Sequence, residues 1–61
     1  MNSIELDKIA ELAWKAVIKF NAQSSWMYDV ELWIPDEYLP MKPAEINSIA
    51  DRIFKVAKKG E

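Results

Sequence analysis

Four of the seven aromatic side chains, Trp26, Tyr28, Trp33 and Tyr38, fall within thirteen residues and alternate with Asp29, Glu31, Asp36 and Glu37. Rings beside carboxylates have the composition of a docking surface. The rings bury in desolvated pockets of a partner, while the acids steer it in and select a basic rim. The expectation is that these eight residues form a binding site for another protein with a basic or grooved surface, with inhibition among the roles such a site serves. The competing expectation is a lid, in which the same rings simply cover the groove between two helices. Acid–base catalysis by Asp29/Glu31 or Asp36/Glu37 is disfavoured. It needs one carboxyl raised in pKa by burial in a cleft, and residues beside turn prolines in so short a chain are seldom buried that way.

Residue types that are missing narrow the chemistry further. With no Cys and no His, the chain has no disulfide, no thiolate or imidazole metal ligand, no Ser-His-Asp or Cys-His catalysis and no histidine switch near neutral pH. A single glycine, Gly60, excludes a phosphate-cradling loop and a dinucleotide fingerprint. The acids lack the spacing and central glycine of a calcium-binding EF-hand loop. No metal or cofactor is expected. A chain of 61 residues buries only about 60% of its unfolded surface, so an enclosed pocket of roughly 300 Å³ would consume much of its core. A non-enzymatic protein is expected.

Charge is unevenly placed. Residues 1–23 sum to 0, residues 24–45 to −4 and residues 46–61 to +2, which together give the net −2. Surfaces respond to local potential over about a Debye length, so the acidic middle matters more than the total. The stripes Lys8/Lys15/Lys19 and Arg52/Lys55/Lys59 suggest, as an alternative, a small helical nucleic-acid-binding module. Glu11 and Asp51 dilute both stripes, and acids outnumber bases. Nucleic acid is therefore the less favoured partner.

The elements that must position these groups read as follows. Leu6, Ile9, Ala10, Leu12, Ala13, Ala16, Val17 and Phe20 share one arc at helical spacing, with Lys8, Glu11, Lys15 and Lys19 opposite. This predicts an amphipathic helix over about 3–21, capped by Asn2 or Ser3. Ile46, Ile49, Ala50, Ile53, Phe54, Val56 and Ala57 likewise predict a helix over 43–59, with Pro43 at its first position and Gly60 at its C-terminal cap. The two are expected to pack through Ile9, Leu12, Ala16 and Phe20 against Ile46, Ile49, Ile53 and Val56. Trp14 and Ile18 lie beside the charged face of the first helix, where they either receive the middle segment or form a seam with another chain.

Residues 26–34 carry two patterns. Trp26, Tyr28, Val30, Leu32 and Ile34 alternate with polar residues as in a strand. A lone strand needs a neighbour, from a hairpin or across a homodimer, and the only candidate, Tyr38 to Lys42, contains Pro40. Read as a short helix, Trp26, Met27, Val30, Trp33 and Ile34 share a face, Ser24 or Ser25 caps it and Pro35 ends it. That places Tyr28 and Leu32 away from the Trp26/Trp33 face. The helical reading is preferred: an all-α domain filling residues 1–61, with two long helices, a short central one and a rigid Pro35–Pro43 tether. The alternative is α+β, with 26–34 as a strand.

Leu39, Pro40, Glu45, Ile46 and the small and apolar run through Ile53 give residues 39–55 a pattern that resembles the closing helix of the small helical domains following primase modules in plasmid replication proteins. It covers 17 of the 61 residues. The resemblance implies a helical fold for this stretch. The acidic balance speaks against carrying over the role. Acids near the start and lysines dividing the apolar runs predict neither a signal peptide nor a membrane span, hence a soluble, cytoplasmic protein. A homodimer is the third functional reading.

Overall fold

Two 17-residue helices, α1 (Ser3–Lys19) and α2 (Pro43–Lys59), are joined by a chain of short 3₁₀ turns. This computed structural model describes residues 1–59. The helix cap expected at Gly60 lies outside the described residues. Among those residues there is no strand, so the all-α reading holds and the strand alternative for 26–34 falls.

Local chemistry accounts for both helix starts. The Asn2 side-chain oxygen accepts a hydrogen bond from the Glu5 N–H at 2.8 Å, satisfying one of the free donors of the first turn. Lys42 occupies the corresponding position before α2 and has no acceptor side chain of its own. Glu45 supplies the reciprocal half of a capping box, its carboxylate accepting from the Lys42 N–H at 3.3 Å. Met41 and Ile46, the two positions that a hydrophobic staple joins, both pack against the core.

Helix α1 stops two residues before the expected end, and its closure is a Schellman motif. Ala22 N–H donates to the Val17 carbonyl at 2.9 Å and Asn21 N–H to the Ile18 carbonyl at 3.0 Å. Asn21 takes the left-handed conformation this requires, with φ 56°. Asparagine is among the few non-glycine residues that reach it at small cost.

The core comprises Ile9, Ala10, Ala13 and Val17 of α1, Trp26, Val30 and Ile34 of the connection, and Ile49 and Ile53 of α2. Two residues of the expected α1 interface are displaced: Leu12 lies at the surface and Phe20 is 67% exposed. The buried stripe runs instead along Ile9/Ala10, Ala13 and Val17, a single helical face with two alanines in its middle. Alanine keeps the neighbouring surface close to the α1 backbone, which bulkier Leu12 would not.

The connection is more broken than one central helix. Trp26–Trp33 is a 3₁₀ segment interrupted at Asp29, whose φ and ψ of −154° and 68° are non-helical. An uninterrupted 3₁₀ helix repeats every three residues, yet the inward side chains are Trp26, Val30 and Ile34, four apart. The non-helical residue at 29 resets the phase between two short turns and lets both bury an apolar side chain. Pro35 then ends the segment, a second turn follows at Asp36–Tyr38, and the Leu39–Pro40 peptide is cis.

Candidate docking surface

The eight proposed docking residues differ sharply in environment. Trp26 is only 3% exposed. Its ring meets Trp14 edge-on, with centroids 6.0 Å apart, and Phe54 at 5.0 Å, so it is a wedge between α1 and α2. Trp26 therefore belongs to the lid and is removed from the surface site. Its hydrophobic area is already spent on the core, the outcome expected for a large ring in a domain with little else to bury.

Tyr28 stands at the other extreme, 84% exposed. Asp29, Glu31, Asp36 and Glu37 are all exposed as well. Trp33 and Tyr38 are half-buried, packed against the rim of the core. Trp33 is further held by the Phe20 ring, with centroids 6.1 Å apart. Backbone bonds fix the second acidic pair: Tyr38 N–H donates to the Pro35 carbonyl and Leu39 N–H to the Asp36 carbonyl, both at 3.0 Å. The structure thus presents seven of the eight residues wholly or partly to solvent along one short stretch.

Two further exposed apolar residues adjoin the candidate stretch. Leu32 is 71% exposed, and Phe20, assigned from sequence to the helix interface, lies beside Trp33. The signal for Leu32 was present in the helical reading, which turned it and Tyr28 away from the Trp26/Trp33 face. For Phe20 the signal was the Asn21 that follows it, since a helix closing there leaves its cap residue outside the packed stripe.

The charges of this stretch have no ionic partner among the described residues. Among the described residues the one ion pair within 4.0 Å joins Arg52 to Asp7 on the α1/α2 seam, at 2.7 Å. Arg52 is also held by the Ser48 hydroxyl and carbonyl. One member of the basic stripe on α2 is thereby committed within the fold. No group of three metal-binding side chains occurs among the described residues, and no helix there is long and apolar enough to cross a membrane. Comparison with protein-family models, curated proteins and solved structures finds no match.

Proposed function

We propose that this chain is a non-enzymatic protein-binding protein that docks through the outer face of residues 28–38 onto a basic surface of its partner. One observation carries the reading. Tyr28 and Leu32 remain open to solvent while Trp26, Val30 and Ile34, with Trp33 and Tyr38 at the rim, seat the same segment on the core. Folding makes no use of the two outer side chains. Four exposed carboxylates without an ion pair among the described residues lie on the same stretch of chain. Apolar anchors accompanied by one sign of charge divide the work as interfaces do: anchors prolong the complex, and charges accelerate and select the encounter.

Tyr28 and Leu32 are the anchors of this reading. The test is capture from cells that natively make the protein, with the intact chain and a Tyr28→Ala/Leu32→Ala variant compared side by side. A protein retained by the intact chain, lost with the variant and then bound directly as a purified species supports the proposal. Equal retention by both chains, at equal helicity, refutes it.

A further inference from the structure

The chain between Ile34 and α2 is attached differently from the segment before it. Trp26–Trp33 lies against both long helices, whereas no Cα of Asp36–Tyr38 comes within 8 Å of one in α1 or α2. Among the described residues, no hydrogen bond or ion pair joins residues 35–41 to the rest of the molecule. The bonds from the Tyr38 N–H to the Pro35 carbonyl and from the Leu39 N–H to the Asp36 carbonyl stay inside the turn. They hold its shape and not its place. None of residues 35–42 is buried, and the side chains that reach the core are Tyr38, Leu39 and Met41, each only partly covered.

Attachment by a few half-buried side chains, with the backbone bonded only to itself, marks a segment that opens well before the whole fold does. Lifting it away breaks no long-range hydrogen bond among the described residues, and the opposing force is the apolar area of three partly covered side chains. Both ends are held: Ile34 is buried in the core and Pro43 begins α2. Pro35 and Pro40 fix φ inside the segment, so it has few other shapes to melt into and moves as a stiff piece about those ends.

We infer that residues 35–42 form a strap that opens as one unit from the native fold while α1, α2 and Trp26–Trp33 stay packed. Asp36 and Glu37 ride on the strap, whereas Asp29 and Glu31 stay on the segment seated by Trp26, Val30 and Ile34. Opening therefore rearranges the four carboxylates. A partner that meets all four selects the closed strap through its higher affinity for that state, and one that meets only Asp29 and Glu31 does not. That consequence rests on the docking reading of residues 28–38; the opening itself does not.

The test is native-state hydrogen exchange of the intact chain, followed amide by amide with NMR at rising urea concentrations below the unfolding transition. Relative to unstructured-chain rates, the Tyr38 and Leu39 amides should be protected, but at least about tenfold less than those of Ala13 and Ile49 at fully buried helical positions, and urea should hardly change their exchange. Leu39→Ala should speed exchange at both strap amides several-fold, because it weakens the closed state. Ile53→Val should speed Ala13 and Ile49 several-fold and leave Tyr38 and Leu39 unchanged, because the helix core stays packed when the strap opens. No partner is present, so failure of the docking reading would leave these rates as they are. Strap amides that exchange only through global unfolding, with the protection and urea slope of Ala13 and Ile49, overturn the proposal. So does exchange at the unstructured-chain rate, or exchange indifferent to Leu39→Ala, since either reduces the segment to a turn that frays on its own.

Discussion

Replacing Trp26 and replacing Tyr28 with alanine should have opposite consequences, although the two residues stand two positions apart. Trp26 is almost wholly buried and joined edge-on to Trp14 and Phe54. Truncating a buried tryptophan costs about 3–5 kcal/mol, and loss of ring pairs worth about 0.5–1.5 kcal/mol each puts this site in the upper part of that range. A domain of this length holds about 3–9 kcal/mol in total, at roughly 0.05–0.15 kcal/mol per residue. Trp26→Ala therefore removes about half of the stability at the upper end of that range and all of it at the lower end. Trp26→Phe keeps an apolar ring in the wedge and should recover part of the loss. Tyr28→Ala removes a ring that touches mostly water and should stay within about 0.5 kcal/mol of the parent. Urea denaturation followed by far-ultraviolet circular dichroism measures all three without relying on indole fluorescence. A Trp26→Ala protein that melts cooperatively within about 1 kcal/mol of the parent would refute the wedge and the division of the segment into inner and outer faces.

Ile53→Asp should abolish cooperative folding, because an unpaired carboxylate at a fully buried position costs several kcal/mol; a calorimetric scan lacking any transition is the expected result. Asn21→Gly should hold or slightly raise the melting temperature, whereas Asn21→Val should lower stability by about 1–2 kcal/mol, since a β-branched residue resists the left-handed conformation that closes α1. Asp7→Asn should cost at most about 1 kcal/mol at low salt and nothing measurable near 1 M salt, because its pair with Arg52 is exposed to screening; paired melts at the two ionic strengths check this. Duplex DNA and RNA should bind only weakly and non-specifically at about 150 mM salt, as the lysines are spread over two helices and Arg52 is engaged by Asp7; sub-micromolar affinity lost on Lys15→Glu would reverse that.

Helix ends were legible wherever a single residue type sets them. Pro43 and Glu45 fix the start of α2, and Asn2 fixes that of α1, because each supplies a specific φ or hydrogen bond whatever surrounds it. Facing was legible only to within one residue. Hydropathy favours Leu12 and Phe20 over Ala10 and Ala13, but how near a neighbouring surface comes to a helix is decided by side-chain volume, which no single-chain periodicity records. The central segment was ambiguous for a related reason. Its residues alternate like a strand and repeat like a helix; the structure buries Trp26, Val30 and Ile34 at a spacing of four, leaves Tyr28 and Leu32 of the alternating set in solvent and breaks the backbone at Asp29. The acidic half of the candidate site was readable because charged side chains stay in solvent wherever the backbone goes. Its aromatic half was not, since Trp26 and Tyr28 stand two residues apart before that break, and which ring faces the core is decided by how the turn seats on α1 and α2, not by residue type.

The most direct test of the docking face is the association rate of the captured partner as a function of ionic strength, measured with the intact chain, with Asp29, Glu31, Asp36 and Glu37 changed to Asn or Gln, and with Leu32→Ala. The account predicts that neutralising the four acids slows association several-fold and flattens its salt dependence with little change in dissociation, whereas Leu32→Ala mainly speeds dissociation and both variants keep the parent's melt. An association rate and salt slope untouched by the loss of all four charges, together with unchanged dissociation in Leu32→Ala, would contradict it and leave residues 28–38 as nothing more than the cover of the core.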